Sequence, residues 1–550
     1  MTIPFSRTVN KRSGVQQNPI NDMSEMPSVG TVAHNMAITG RFSRGRIDKV
    51  FAVSRDRQRR VLGSAQSLSV SALGEPYVHV YEALKKGTMQ AIVSRLVSST
   101  ATNKLMVATA AVAPAQGQPE PVVWTMVDET TGATGGYLIA IKHLECFSDG
   151  VKAEIHADAA ATGGAPGPSK IITLQLRDVA TNEIILGPYK GSLDPSAIDE
   201  FGESYFIGDV VATYTDLLQV VDVHDAATVP VGCVFYGKKD GKDLWASKAL
   251  SYFTEGSTLY TTADLDAAIN RIRRSRPSFT YICGGGTESV ALISRLLELG
   301  AAINKQVVWD IPGRFTPAAA TTFYASVGGA TDSLYSHCYW APIMATNPVA
   351  GGKAFMGTSG MNIGLRCARN AIVNAKGIAK RNEVIAGSDH AVTRTGMVQM
   401  FDPDPDTDLE DLAASRINPV IFKDYASGPK YAWIDSLTGA QTEGATKLMA
   451  VSEMATYVDD TIAAAAEEAL QKPMSQAIEK VEKFIKLFLE ALQSAGWLQA
   501  SEQLDGSAYT ADIKASDNQP FEKMVIDTAI CYDGTARIIT NQQNIVRPKG

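Results

Sequence analysis

A run of glycines stands where a predicted strand meets a predicted helix. Cys283 is followed by three glycines, Thr287 and Glu288. Backbone N–H groups at such a turn can hold a phosphate, so the turn is a candidate site for a nucleotide or an acyl substrate. The run fits neither GxxxxGK[ST] nor GxGxxG, and no lysine follows it. The simpler interpretation is a tight strand-to-helix turn in which Thr287 caps the helix.

Alternating aspartates in one segment suggest a calcium-binding loop. They are Asp402, Asp404, Asp406 and Asp408. The sixth position of such a loop requires glycine and holds Thr407 here, and the twelfth requires glutamate and holds Ala413. The segment is therefore predicted to be a solvated acidic linker without a bound metal.

Nucleophilic catalysis also lacks an assembled set of residues. The GTSG run at 357–360 resembles a nucleophile elbow, but Met361 stands where that motif needs glycine, and no strand is predicted before it. At Asp389-His390, in a polar segment, an acidic residue directly precedes a histidine, which happens nowhere else in the sequence. No histidines have metal-site spacing. We therefore predict no catalytic residue, no cofactor-binding residue and no metal ligand.

Composition describes a folded, acidic chain. Of 550 residues, 45% are hydrophobic and 20% charged, and the net charge is −7. This length corresponds to about three or four domains, and the negative charge argues against a dedicated nucleic-acid binder. The six cysteines form no CxxC pair, which argues against a disulfide framework or structural zinc and favours a reducing compartment. We see no membrane segment and no apolar signal core.

The first 60 residues have a different charge balance, with 11 Lys/Arg against 4 Asp/Glu. Such a start is typical of an organelle transit peptide or of a basic arm that docks on an acidic partner surface. Within it, the segment from Arg55 to Arg60 could contact phosphates, although a solvated face or a protein contact is the simpler interpretation.

Patterning predicts a mixed α/β multidomain fold with an inserted β-rich lobe and an extended arm at each end. Strands and helices alternate over residues 231–400, which predicts an open, mostly parallel sheet covered by helices. A helix from Pro473 to Ala495 has an apolar stripe of helical period. The predicted parts are an N-terminal arm (1–30), an N-terminal α/β part (31–128), a β-rich outer domain (129–225), an α/β domain (226–400), an acidic linker (401–411), a C-terminal domain (412–533) and a C-terminal arm strand (534–550).

Three stretches in this order resemble the contractile tail sheath proteins of tailed bacteriophages, R-type pyocins and contractile injection systems. The first comprises TGRFSRGRIDKVFAVSRDRQRRVLG (39–63) and ALKKGTMQAIVSRL (83–96), with Arg46 where many members have proline. The second, at 337–386, has an Asn-Pro turn, a Ser-Gly pair and an Ala-Arg helix. The third, at 412–497, contains the Ile-Asn-Pro run at 417–419 and Trp433, with Asp435 and Ser436 replacing the usual residues.

The resemblance implies a non-enzymatic, mechanical subunit of a virion tail, assembled in the bacterial host cytoplasm. Stacked six-fold rings would surround an inner tube and contract to drive it through the host envelope for genome delivery. The implied partners are further copies of the chain, the inner tube protein, and baseplate and tail terminator proteins, without nucleic acid or membrane insertion. The alternative is an α/β enzyme that binds a nucleotide or acyl substrate at the turn from Cys283 to Thr287.

Two surfaces follow as expectations. Strand-prone chain ends without a local partner are expected to add strands to neighbouring subunits. Their candidate residues are Arg7, Arg537, Ile538, Ile539, Ile545 and Val546. The charged face of the 473–495 helix is expected to contact the tube. Its candidate residues are Glu479, Lys480, Lys483, Lys486 and Glu490. The alternative for that helix is a solvated face whose pairs four residues apart support only the helix itself.

Overall fold

The structure is a computed structural model that describes residues 34–110, 122–129, 132, 137–147, 150–157, 170–223, 238–239, 242–243, 246–250 and 252–543. Its strands are β1 (Met36–Gly40), β2 (Phe51–Val53), β3 (Ala91–Arg95), β4 (Thr102–Ala110), β5 (Val122–Asp128), β6 (Tyr137–His143), β7 (Val151–Ala157), β8 (Ile171–Asp178), β9 (Ile184–Ser192), β10 (Leu218–Val223), β11 (Lys238–Lys239), β12 (Lys242–Asp243), β13 (Ala246–Leu250), β14 (Phe253–Thr254), β15 (Tyr281–Cys283), β16 (Gln306–Ile311), β17 (Ser336–Trp340), β18 (Ile343–Thr346), β19 (Lys353–Phe355), β20 (Val398–Gln399), β21 (Ile417–Tyr425), β22 (Gly428–Trp433), β23 (Tyr509–Ala515) and β24 (Met524–Ile530). Its helices are α1 (Gln58–Leu62), α2 (Glu75–Lys86), α3 (Ile207–Tyr214), α4 (Thr262–Arg273), α5 (Val290–Ala302), α6 (Pro317–Val327), α7 (Ser359–Ala371), α8 (Asp408–Ala414), α9 (Met449–Glu467) and α10 (Met474–Ser494).

The chain forms two compact units. The larger unit comprises residues 34–368 and 385–449, and the smaller unit comprises residues 369–384 and the chain from Ala450 onward. The mixed α and β content confirms the predicted fold class.

An eight-stranded sheet forms the centre of the larger unit, in the order β2-β3-β1-β15-β16-β17-β21-β22. Its six inner strands are parallel, and only the edge strands β2 and β22 pair antiparallel. Strands β1, β3, β15, β16 and β17 are buried along their whole length. Parallel strands are buried in this way because helices cover both faces, so the prediction of an open, mostly parallel sheet is confirmed.

A β-rich lobe is formed by the part of the chain between strand β3 of this sheet and helix α4. It contains one sheet in which β10, β6, β4 and β14 follow one another with β5 paired to β4, and a second sheet ordered β13-β7-β8-β9. Both contribute to one apolar core that includes Trp124, Phe147 and Leu174. The strands of the lobe run from Thr102 to Thr254, a wider range than the predicted 129–225, because β4 and β14 pair with each other across the insertion.

The smaller unit is built on a pair of helices and a hairpin. The side chain of Tyr457 on α9 packs against Phe488 on α10, and also against Trp497, with ring centroids 6.0 and 5.6 Å apart. Strands β23 and β24 pair antiparallel along seven residues each and form a separate two-stranded sheet. The predicted domain at 412–533 differs from this arrangement, because β21 and β22 lie in the large sheet.

One local prediction was wrong. The acidic linker 401–411 is not linker throughout, because α8 begins at Asp408 and carries three acidic residues in its first turn, where the helix dipole favours negative charge.

Helix α5 contains Gly300 near its end and continues to Ala302. A Cβ atom at Gly300 would lie 2.4 Å from the Val307 side chain, so this glycine permits close packing of α5 on β16.

Candidate functional site

The carboxyl end of β15 lies where the strand order of the large sheet reverses. From this point β1 leads outward to β3, whereas β15 leads to β16 and β17. Doubly wound sheets bind ligands in the crevice at such a point. The turn from Cys283 to Thr287, which the enzyme alternative requires, therefore stands at the position where a substrate would be expected.

The turn is already filled by a side chain of the protein. Gly285 and Gly286 have φ angles of 67° and 69°, and a Cβ atom at Gly286 would lie 2.2 Å from the carboxyl carbon of Glu75. The helix that follows is capped by Ser289, whose hydroxyl accepts the N–H of Leu292, so the prediction of Thr287 as the cap was wrong. The glycines thus make room for Glu75 and not for a phosphate.

The charge around this turn also opposes an anionic ligand. A cleft of about 30 Å³ remains, and Glu75, Glu288 and Asp310 contribute carboxylates to its lining. The one arginine in the lining, Arg314, donates to Glu288 at 2.6 Å. Burial raises the pKa of the Cys283 thiol to about 12, so this thiol stays protonated and is a poor nucleophile.

A serine, a histidine and a carboxylate do meet beside this cleft. Ser359 Oγ lies 3.2 Å from His79 Nδ1, and His79 Nε2 lies 3.3 Å from Glu75 Oε1. The N–H of Gly360 donates to the same Nδ1 at 3.1 Å, so the ring proton resides on Nε2 and faces Glu75. Strand β19 precedes the GTSG run at 357–360, contrary to the prediction that no strand does.

This set lacks the further features of a catalytic site. Ser359 and His79 are fully buried. The N–H groups of Thr358 and Ser359 both donate to Asp310, at 2.7 and 3.1 Å, and that of Gly360 donates to His79, so all three are already used and cannot stabilise an oxyanion. The network instead binds the amino-terminal end of α7 to α2 and to β16. Its role in the described part of the chain is to hold the fold together.

Residues that carry the family resemblance serve packing in the structure. A Cβ atom at Gly360 would lie 2.5 Å from the backbone oxygen of His79, and one at Gly364 would lie 2.7 Å from that of Ala83, so α7 approaches α2 closely. Asn418 is buried, and its amide donates to the backbone oxygens of Cys338 and Leu437, both at 2.8 Å. These positions therefore preserve the architecture.

The predicted tube-facing helix is present almost as predicted. Helix α10 spans Met474–Ser494, and its buried face includes Val481, Ile485, Leu489 and Leu492. Ile478, the remaining member of the predicted stripe, is half-buried. The five predicted contact residues are all exposed: Glu479, Lys480, Lys483, Lys486 and Glu490.

The charged face of α10 is largely unused within the described chain. Lys480 Nζ lies 3.1 Å from Glu468 Oε2. Among described residues, no ion pair joins Glu479 to Lys483 or Glu482 to Lys486, which are two examples of the pairs in the solvated-helix alternative. The face is thus available to a partner, and its contact with a tube stays a prediction.

The chain after Asp533 forms no strand up to residue 543. The N–H of Asp533 donates to the backbone oxygen of Trp497 at 2.8 Å. Ile538 and Ile539 follow, each 84% exposed, with Arg537 half-buried beside them. The other predicted arm residues, Arg7, Ile545 and Val546, lie outside the described residues.

The described residues also bear on metal binding, membrane insertion and phosphate contact. No group of three or more metal-ligating side chains comes together there. None of the helices described is both long and apolar enough to cross a membrane. In the basic segment from Arg55 to Arg60, all four arginines are exposed, and Arg60 also donates to the backbone oxygen of Ile185.

No protein-family model matches the chain, and no curated protein does. Among solved structures, a chain of the anti-feeding prophage baseplate in its contracted state aligns over 99% of both chains, with 11% identity and a TM-score of 0.47. The sheath tail protein of Desulfitobacterium hafniense aligns over 94% of this chain and 100% of its own, with 11% identity and a TM-score of 0.46. The sheath complex of an extracellular contractile injection system, in its contracted state, aligns over 51% of this chain and 74% of its own, with 16% identity and a TM-score of 0.41. These three solved structures are of baseplate and sheath proteins.

Proposed function

We propose that this protein is the structural subunit of a contractile tail sheath. Copies polymerise as stacked six-fold rings around an inner tube, and contraction drives the tube through a host envelope. Its partners are further copies, the tube protein, and the baseplate and terminator proteins at the two ends of the tail. The ordered sequence resemblance over most of the chain supports this proposal, together with the unused surfaces described above.

The observation that carries the proposal is the exposed C-terminal segment. Ile538 and Ile539 are β-branched and apolar, and each is 84% exposed. Such residues favour strands, yet no strand among the described residues pairs with segment 534–543. Full exposure of adjacent isoleucines is unfavourable unless a partner covers them. A neighbouring subunit that accepts this segment as an added strand removes the penalty.

The hairpin of β23 and β24 is the preferred acceptor for such a strand. A two-stranded sheet leaves one unpaired edge on each strand, and an isolated hairpin is only marginally stable. The side chains of both strands are half-buried or exposed. An arm from a neighbour would complete this small sheet through backbone bonds, which demand no particular side chain.

Electron microscopy of C-terminal variants tests the proposal. We expect the purified chain to form long hollow cylinders, whereas deletion of 537–550 leaves a folded monomer that does not polymerise. I538P/T540P should also prevent assembly, because proline removes backbone donors from one edge of the added strand. I538T/I539T is the matched control, since it keeps the donors and the β-branched shape and should still form cylinders.

Cylinders from the 537–550 deletion would refute strand addition by this arm. A wild-type chain that stays monomeric, alone and in the presence of the purified tube protein, would refute the sheath function itself. No observation favours the enzyme alternative, because Glu75 fills the glycine turn and carboxylates surround it.

A further inference from the structure

An acidic surface of the larger unit has no basic partner among the described residues. It is formed by the segment from Asp402 to Asp411, called the acidic loop below. Its six carboxylates belong to Asp402, Asp404, Asp406, Asp408, Glu410 and Asp411. None of them forms an ion pair with a described lysine or arginine, and the chain holds no Lys or Arg between Arg394 and Arg416. Six uncompensated charges within ten residues repel one another unless a cationic partner approaches.

The acidic loop has a defined shape. Asp404 Oδ1 accepts the N–H groups of Asp406 and Thr407, each at 3.0 Å, and Asp408 Oδ2 accepts the N–H of Asp404 at 2.9 Å. Pro403 is buried, whereas Asp404 and Asp406 are exposed. The loop therefore presents fixed carboxylates to a partner at a small cost in conformational entropy.

A cleft of about 380 Å³ in the same unit has the opposite charge. This basic cleft lies between the last turn of α2 and the small sheet of β18, β19 and β20. Its polar lining includes Tyr81, Lys85, Lys86, Thr346, Thr393 and Thr395. The size is within the range of binding pockets that take a small molecule or a short peptide segment.

The charge of the basic cleft is a net surplus. Arg394 also lines it, but Arg394 and Glu82 neutralise each other through two bonds of 2.7 Å, with side chains 2% and 4% exposed. Lys86 donates to Thr393 Oγ1 at 2.7 Å, and neither Lys86 nor Lys85 pairs with a described carboxylate. Lysine ammonium groups beside threonine hydroxyls form a donor set suited to carboxylates.

The acidic loop and the basic cleft of one chain lie at opposite ends of the same pair of strands, β18 and β20. β18 runs antiparallel to β20, with Ile343 opposite Gln399. Thr346 and Thr395 meet at the cleft end of this pair, where the N–H of Thr346 donates to the backbone oxygen of Thr395 at 2.9 Å. The acidic loop begins beyond Gln399 at the other end, roughly 20 Å away along an extended chain. The two surfaces therefore cannot meet within one subunit.

We propose that the basic cleft of one copy receives the acidic loop of a second copy, in a head-to-tail contact between different surfaces. Such a heterologous contact leaves a free cleft at one end and a free loop at the other, so it propagates into a ring or an open filament. The inference rests on the proposed function only in that the occupant is another copy of this chain. It requires no tube and no particular ring size.

Charge reversal on each side of the contact tests this inference. K85E/K86E and D406K/E410K should each weaken self-association about tenfold or more, since like charges then face each other. Asp404 and Asp408 are retained because they shape the loop. The combined variant K85E/K86E/D406K/E410K restores opposite charges and should regain association. R273E/R274E is the matched control, because these exposed arginines end α4 as the two lysines end α2.

Sedimentation velocity over a range of protein concentration and salt is the measurement. Wild type and R273E/R274E should associate alike, and their association should weaken as salt rises. Association of K85E/K86E at the wild-type strength would overturn the contact while leaving the sheath proposal intact. Failure of the combined variant to recover would show that the loop is not the occupant. A wild-type chain that never associates would overturn both proposals.

Discussion

At the scale of single residues, His143 and Glu145 form an ionisable pair in the β-rich lobe, with His143 Nε2 3.6 Å from Glu145 Oε2 and the Glu145 side chain 13% exposed. His143 is fully buried and stacks on Phe147 with ring centroids 4.4 Å apart, and Arg44 lies over the same ring. Burial lowers the pKa of His143 to about 3. Burial raises the pKa of Glu145 to about 7, despite the nearby arginines that oppose the shift. In both groups burial thus favours the neutral form over the charged form.

Glu145 should make stability depend on pH. Its pKa is raised from 4.5, so the folded state holds the proton more tightly, and the stability this contributes is lost as pH rises from 4.5 through about 7. A pKa shift of this size corresponds to a change of at most about 3 kcal/mol in the free energy of unfolding. We expect E145Q, which has no charge to bury, to raise the melting temperature relative to wild type by more at pH 8 than at pH 5.

Thermal unfolding at the two pH values, with E183Q as an exposed control, provides the measurement. The same difference in melting temperature between E145Q and wild type at pH 5 and at pH 8 would show that Glu145 does not titrate in this range. His143 acts in the opposite direction, because its lowered pKa removes stability as pH falls below 6.5. It is unchanged in E145Q and should largely cancel in the comparison.

Contacts between distant residues were beyond sequence reasoning. The bond between Ser359 and His79 joins positions 280 residues apart, and no sequence pattern links the two residues. The sequence did identify the GTSG run and the glycine turn after Cys283 as special. It could not show that Asp310 and Glu75 occupy them, because that depends on which strand lies beside which.

At the scale of elements, local patterns predicted helices well. The period of the apolar residues and the proline at its start defined α10 to within a residue or two. Helix α4 begins with a capping box between Thr261 and Asp264, and both its acidic first turn and its basic end were visible in the sequence. Strand partners were not predictable, since β4 pairs with both β5 and β6 and no local pattern specifies these pairings.

The charged face of α10 gives an element-scale prediction. K480E/K483E/K486E should leave the melting temperature nearly unchanged, because exposed ion pairs each contribute about 0–1 kcal/mol. Assembly on tubes should be lost, most clearly at low salt, if these lysines hold register with the tube. R55E/R57E/R59E makes the same change in net charge at exposed arginines of the larger unit and should still coat tubes. Tubes coated as fully by the lysine variant as by wild type would exclude α10 as the contact.

At the scale of the whole molecule, the β-rich lobe is an insertion in the large sheet. The chain leaves the sheet after Arg95 and returns to it through α4, which begins at Thr262. The lobe has its own apolar core, with Trp124, Phe147 and Tyr252 fully buried. An insertion with a separate core can vary without disturbing the sheet that receives it, so we expect it on the outside of the polymer.

An enlarged lobe should therefore produce a wider polymer that still assembles. The turn between β8 and β9 is exposed from Val179 to Glu183, and it has no role in either proposed contact. A small folded domain inserted after Thr181 should be tolerated there, because exposed turns accept insertions readily.

Micrographs should show cylinders with extra density at the outer radius and an unchanged central channel. The comparison is the same domain inserted after Ser427, at the exposed tip between β21 and β22. These strands belong to the large sheet and not to the lobe, so the radius of the extra density would report the position of the sheet. Extra density inside the channel, or loss of assembly with the monomer still folded, would place the lobe at an inner or intersubunit surface.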